Sequence, residues 1–325
     1  MGYEMAKNVR QKMPPGSTLF VNNISRAQCE KFFDEFHSLG PVKIVQTACE
    51  IAQKARVIIS IVPAALHVKD VYLNPKTGVI AAPKDSDRLI LECSTIDSES
   101  AIEVGTTLKD ASVGTYIDTP VSVSLFYAYS EFSSNFWFQG GVPGAAAGTV
   151  AFLVGYSDPS ATTLSPVTRR LKDIINLMAS PQRVFYCGSL GMGLAAKIAN
   201  NYLSGTHLLA AAEAMNIGNR LGVDKDLLYK VIHNITGQSF MFDNVHPVPG
   251  VVPHAPSNNN YIGGFKAQMM VKDMTLGVEA GKKVGCRTTL GPAALKIYKE
   301  AAVDPRCMDR DVSVIWRFLD GPETE

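Results

Sequence analysis

Short runs of apolar, mostly β-branched residues recur along the first half of the chain, at Leu19–Val21, Val57–Val62, Leu89–Cys93, Tyr116–Asp118, Val150–Val154 and Val184–Cys187. Between most of them the apolar positions fall at helical spacing, over Ala27–His37, Ala48–Lys54, Glu99–Lys109 and Ser165–Met178. Strand-like and helical segments alternating at this interval predict an α/β arrangement, a parallel sheet wrapped by helices. Sheets of that kind bind ligands beyond the carboxyl ends of their strands. The opening Met1–Asn8, taken alone, starts an amphipathic helix. After Cys187 the strand-like runs stop. A proline-free helical pattern covers Leu190–Leu221, and others follow at Asp224–Asn234, Phe265–Val284 and Pro292–Ala302, with a proline-rich loop, His246–Tyr261, among them. The chain therefore divides into an α/β domain over residues 1–187 and an all-helical domain over residues 188–325, with the boundary near Gly188.

Composition narrows the classes of function. A chain of 325 residues that is 46% hydrophobic supplies enough apolar surface for two packed domains. Its net charge is +1 and no Lys or Arg run marks a nucleic-acid surface, so no nucleic-acid partner is expected. No apolar run reaches the roughly 18 residues of a membrane span, so no membrane partner is expected either. The six cysteines are scattered without a CxxC pair, which predicts free thiols in a reducing compartment. The histidines do not cluster with cysteines or carboxylates at ligand spacing, so no metal is expected. No targeting segment is visible.

Several short motifs stand at places where such a fold does chemistry. Gly188–Leu203 reads GSLGMGLAAKIANNYL, with Lys197 and Asn201 four residues apart and so on one helix face. A lysine flanked by Ala195, Ala196, Ile198 and Ala199 ordinarily reaches out to water. Gly191–Ala196 spells G-x-G-x-x-A, a dinucleotide fingerprint in form, but a long helix follows it rather than a second strand with an acidic end. Ser94-Thr95-Ile96-Asp97 follows one strand-like run, and Ile61-Val62-Pro63 closes another. Asp118-Thr119-Pro120-Val121-Ser122 is separated by seventeen residues, Val123–Gln139, from Gly140-Gly141-Val142-Pro143-Gly144. That insert holds seven aromatic residues and one charge, an unfavourable composition for an exposed loop.

Together these segments resemble the β-hydroxyacid dehydrogenase family, and the resemblance covers essentially the whole chain. It implies a Rossmann-type parallel-sheet domain followed by an all-helical domain, and NAD or NADP as cofactor. The lysine helix matches the family pattern GxxGxGxxxKxxNN, which makes Lys197 the acid/base and gives Asn201 the task of orienting Lys197 or the substrate. Removing the insert restores the substrate signature DxPVSGG, so Ser122 and the amides around Gly140 and Gly141 are expected to hold the substrate carboxylate. Gly2 matches the last glycine of the family's opening fingerprint, GxGxMG. Val62, Pro63 and His67 match a cofactor-lining turn and its polar assistant, Thr95 falls on the nicotinamide side, and Lys272, in Lys272-Asp273, matches a cofactor-contacting lysine. At the end of the second family strand an acidic residue would bind the ribose of NAD; this chain has Asn23 and then Arg26, which leans toward NADP or dual use.

The loop from His246 through Phe265 resembles members that oxidise 3-hydroxyisobutyrate to methylmalonate semialdehyde, a step of valine catabolism, so a mitochondrial location is expected by pathway analogy. The partners implied are a small hydroxyacid and a second copy of the chain, as homodimer or homotetramer. The family's first strand and first two glycines have no counterpart ahead of Gly2, so a truncated start is expected. The insert begins Val-Ser and ends in Gln, which the usual intron ends encode, so a translated, unspliced intron is expected there. The other readings are a dehydrogenase for another short hydroxyacid, and a catalytically impaired relative that acts as a binding protein.

Overall fold

The structure is a computed structural model, and it describes residues 1–123, 145–146, 148, 150–157 and 165–322. Its contacts divide the chain into two compact units, with the division between Lys197 and Ile198. The expected boundary near Gly188 and this division bracket the first turn and a half of one long helix.

The first unit alternates as the apolar pattern predicts. Helix α1 (Gly2–Lys12) is followed by β1 (Leu19–Val21), α2 (Arg26–Phe36), β2 (Val42–Ile44), α3 (Ala48–Lys54), β3 (Val57–Ser60), α4 (Ala65–Leu73), β4 (Leu89–Glu92), α5 (Ser98–Asp110) and β5 (Thr115–Asp118). Then come β6 (Val121–Val123), β7 (Val150–Val154), α6 (Pro166–Asn176) and β8 (Val184–Tyr186). Strands β3, β4 and β5 form a parallel sheet in sequence order, and β1 and β2 pair in parallel as a separate piece. Strand β4 lies between two neighbours, and all four of its residues are buried. Helices cover both faces of such a strand, which is why it reads as an apolar run up to its closing Glu92.

Side chains alternate across the sheet with period two. Ile58, Ile90 and Tyr116 enter one core, with Val68, Val104 and Leu108. Leu89, Leu91 and Ile117 enter another, with Met5 and Val9 of α1 and Leu171 and Ile175 of α6. In the first unit two strands, β2 and β6, and one helix, α4, exceed the sequence reading, and the short helices Phe240–Asn244 and Ile315–Phe318 do so in the second; α4 follows Pro63 without a caesura in the apolar pattern. Strand β6 also departs from the all-parallel expectation. The chain turns back at Thr119-Pro120, and β6 pairs antiparallel with β7, Ser122 opposite Ala151. β8 then pairs with β7 in parallel.

Helix α7 (Met192–Arg220) carries the chain into the second unit. That unit holds the rest of α7 with α8 (Lys225–Asn234), α9 (Phe240–Asn244), α10 (Ala267–Lys283), α11 (Leu290–Ala301) and α12 (Ile315–Phe318). Its main core gathers Leu208 and Ala212, Met270 and Met274, and Ala294 and Tyr298. Among its described residues the β-pairing is one isolated bridge, Lys266 to Asp311.

Candidate active site

The sheet register builds the first half of the site. Ser60, Glu92 and Asp118 are the last residues of β3, β4 and β5, and they stand opposite one another across the three strands. Two buried carboxyl groups thus occupy neighbouring places at the carboxyl rim of the sheet, and each is satisfied by different partners. Glu92 is fully buried; it accepts from the Ser94 amide at 2.8 Å and from the Ser60 hydroxyl, which also meets the Tyr72 hydroxyl. Burial pushes the Glu92 carboxyl above its ordinary range, and the hydrogen bonds pull against that shift. Asp118, also fully buried, accepts from the Gly191 amide at 2.7 Å and the Leu194 amide at 2.9 Å.

The turns beyond this rim carry the expected cofactor residues. The Val62 amide donates to Ser94 Oγ at 2.7 Å, so the turn after β3 is tied to the turn after β4. Pro63 and His67 beyond it are exposed, and Thr95 is half-buried. In Ser94-Thr95-Ile96-Asp97 the first residue makes that tie, and Asp97 caps α5 by accepting from the Ser100 amide at 2.8 Å. Gly2 opens α1 against the same region: a Cβ there would stand 2.8 Å from Ile61 Cγ2. Adjacent parallel strand ends, braced to one another and approached by a helix start that lacks a Cβ, fit a nicotinamide dinucleotide.

The turn after β1 is different. Asn23 and Arg26 are both exposed; Asn23 Oδ1 accepts from the Ser25 amide at 2.8 Å and Arg26 pairs with Glu30 at 3.0 Å. Both side chains serve local bonds, and residues 22–26 include no carboxylate.

The reacting end lies on β6 and α7. Lys197 Nζ donates to Ser122 Oγ at 3.0 Å, and Lys197 is only 7% exposed, in contrast to the solvated side chain that its apolar flanks alone predict. Gly140 and Gly141, and with them residues 124–139 of the insert, lie outside the described residues. The nearest described residue past them is Ala145, whose carbonyl accepts from the buried amide of Asn8, on α1, at 2.6 Å.

The second unit places Asn201 and Lys272 around one buried carboxylate. Asn201 Nδ2 donates to Asp273 Oδ2 at 2.6 Å, Lys272 pairs with Asp273 Oδ1 at 3.3 Å, and Asn200 donates to Asn201 Oδ1 at 3.1 Å. Asp273 is 3% exposed, so its charge is held by these neighbours rather than by water. Sequence reasoning passed over Asn8, Glu92, Asp118 and Asp273 as site residues. For Glu92 and Asp118 the available signal was an acid closing an otherwise apolar strand, LILE and TYID.

A family model described as the NAD binding domain of 6-phosphogluconate dehydrogenase matches residues 1–126, and one described as NAD-binding of NADP-dependent 3-hydroxyisobutyrate dehydrogenase matches residues 191–319. The mitochondrial 3-hydroxyisobutyrate dehydrogenase of Pongo abelii is 31% identical over 324 residues, covering 100% of this chain and 85% of that protein. The NAD-dependent L-serine dehydrogenase of Pseudomonas aeruginosa is 31% identical over 277 residues, 85% of this chain and 82% of that protein. Among solved structures, a Mycobacterium tuberculosis 3-hydroxyisobutyrate dehydrogenase with L-serine superimposes with a TM-score of 0.80 at 29% identity, covering 98% of this chain and 95% of the other.

Proposed function

The chain belongs to the β-hydroxyacid dehydrogenase family, as an NAD(P)-dependent 3-hydroxyacid dehydrogenase, and from that premise we propose that its substrate is 3-hydroxyisobutyrate, oxidised to methylmalonate semialdehyde with Lys197 as acid/base. The observation that carries this reading is the 3.0 Å hydrogen bond from Lys197 Nζ to Ser122 Oγ. It joins the lysine assigned to take the proton to the residue assigned to hold the substrate.

A nicotinamide held at the strand turns by Thr95 and Pro63 would supply the hydride acceptor for the carbinol carbon of the substrate. Neutral Lys197 takes the hydroxyl proton as that hydride leaves, and returns it in the reverse direction. Ser122 holds the substrate's polar end within reach of Nζ. The tie between Val62 and Ser94 fixes the strand turns that Thr95 and Pro63 present to the cofactor. Asn201 and Lys272 are assigned to substrate and cofactor respectively, and Asp273 orients both.

L-Serine is the second reading, supported by the named activity of the Pseudomonas relative. The two substrates share the HOCH2–CH–COO⁻ frame and differ at C2, which bears a methyl in one and an ammonium in the other. An ammonium needs a carboxylate partner. At the strand rim Glu92 and Asp118 are both engaged by internal donors, which favours the methyl compound. Full-chain protein is assayed for NAD(P)H formation with each substrate under each cofactor. The reading expects a higher kcat/KM for 3-hydroxyisobutyrate, and a preference for L-serine overturns it.

Place and assembly follow as proposals. Relatives at about this identity are named mitochondrial, which supports a mitochondrial location and a part in valine catabolism. No described helix is long and apolar enough to cross a membrane. A self-associating form is supported by Leu227, Val231 and Ile235, exposed by 54%, 43% and 60% and spaced by four along and just past α8. An adjoining face of that helix packs Leu228 and Ile232 against the core.

A further inference from the structure

The structure assigns Asp118 a positioning role in the reaction: its buried carboxylate holds the first turn of α7 and thereby sets the separation of Lys197 and Ser122. The inference rests on the reading of Lys197 as the acid/base.

The first N–H groups of a helix have no acceptor within it, and their aligned dipoles favour a negative charge at that end. Helices usually answer this with a neighbouring side chain; Thr47, Asp97 and Asp224 do so for α3, α5 and α8. Helix α7 is answered from far away in the chain. Asp118 Oδ1 accepts from the Gly191 amide and Oδ2 from the Leu194 amide, so one carboxylate spans the helix start. Bonds to a charged acceptor at this depth are the strong kind. Burial raises the Asp118 pKa, and the Gly191 and Leu194 bonds oppose that shift.

Two glycines make room for the contact. A Cβ on Gly193 would stand 2.9 Å from Asp118 Oδ2 and would overlap the Leu153 carbonyl, and a Cβ on Gly155 would overlap the Asp118 carboxylate. The G-x-G-x-x-A spelling of Gly191–Ala196, which mimics a dinucleotide fingerprint, is thus a seat for an aspartate. Gly191 has φ of +89°, a conformation that L side chains rarely adopt.

The seat closes a ring. From Asp118 the chain runs four residues to Ser122 through Thr119, Pro120 and Val121, all buried. Strand pairing fixes that segment, with Ser122 opposite Ala151 and the Leu153 amide on the Pro120 carbonyl. From Leu194 the helix runs three residues to Lys197. The ring shuts where Lys197 Nζ meets Ser122 Oγ. Every other link is covalent or part of a rigid element, so the carboxylate decides whether the two reacting side chains meet. Both of its oxygens are engaged by backbone amides.

The test replaces Asp118 in the full chain. Asp118→Asn keeps the shape but turns an NH2 group toward one of the two amides; Asp118→Ala removes both acceptors. An amine-reactive reagent is applied without cofactor, and labelling of individual lysines is followed by peptide mass spectrometry. Lys197 is expected to label at least about fivefold faster in both variants, while Lys69, in the same unit, and Lys225, in the other, keep their rates. With cofactor and hydroxyacid, kcat is expected to fall about 10²-fold in Asp118→Asn, and by much less when the same change is made in a Ser122→Ala background, because the geometry it protects is already gone. Unchanged labelling of Lys197, a uniform rise of all three lysines, or fully additive losses in the double variant would each overturn the proposal. Turnover retained in Lys197→Ala would instead refute the acid/base reading and leave the labelling result to stand as geometry.

Discussion

The turn after β1 and the rim formed by β3, β4 and β5 both close parallel strands, and both are places where a dinucleotide is expected to lie. At the rim, Ser60, Glu92 and Asp118 stand in register, the two carboxyl groups buried and Ser60 half-buried, and each reaches across to another element. In the turn after β1, Asn23, Ser25 and Arg26 are exposed, Ile24 is fully exposed, and the side chains of Asn23 and Arg26 bond to residues two and four positions away. Preorganisation is therefore concentrated at the rim beside the proposed site of hydride and proton transfer, while the turn proposed to read the cofactor's ribose rests on local bonds. Catalysis loses most when groups shift at the reacting centre. Recognition of a ribose hydroxyl or phosphate tolerates a surface turn.

That contrast is open to attack at several strengths. Truncating Glu92 to Leu is expected to remove about 3 kcal/mol or more of stability, because the Ser94 amide and Ser60 hydroxyl lose their acceptor in a buried place. Denaturant unfolding of the full chain measures it, and Glu92→Gln, which keeps an oxygen for Ser94, is expected to lose much less. The same carboxyl gives the rim a pH signature. Its folded pKa lies above the unfolded one, so the folded state binds more protons in that window. Its contribution to stability is present below the unfolded value of about 4.3 and is lost as pH rises through the folded value. Glu92→Gln is expected to flatten that slope; a slope unchanged in the variant would mean Glu92 is charged in the fold.

Ser122→Ala probes the reacting end and is expected to lower kcat/KM on the order of 10²-fold with cofactor affinity retained. A loss below about threefold would erase the distinction drawn here. The smallest expected effect lies at the β1 turn. Asn23→Asp is expected to shift preference toward NAD by about tenfold, since a carboxylate accepts from ribose hydroxyls and repels a 2′-phosphate. Thermal stability is expected to stay unchanged in that variant, and a large stability loss would show the turn to be as braced as the rim.

How much of this is legible in the sequence depends on the range of each interaction. The apolar runs located β1, β3, β4, β5, β7 and β8 because each strand must bury side chains whatever its neighbours do. Val57–Val62 was read two residues too long because Ile61 and Val62 are apolar yet sit in the turn, where the Val62 amide turns to Ser94. Strand β6 escaped because its pairing is with β7, across the insert, and three residues carry no period. The G-x-G-x-x-A spelling shows its contact with Asp118 only in three dimensions. Asp118 is 73 residues from Gly191, and no local pattern announces that meeting. Asp273 was visible as half of a Lys-Asp pair, while its bond to Asn201, 72 residues away, was not.

The account turns on one side chain, and Lys197→Ala in the full chain tests it most directly. Turnover of 3-hydroxyisobutyrate is measured at saturating NAD(P) across pH, beside cofactor affinity and the unfolding transition. The expected result is a fall in kcat of about 10³-fold, with cofactor affinity and the unfolding midpoint close to wild type. Turnover within a few-fold of wild type in a folded, cofactor-binding variant would contradict it.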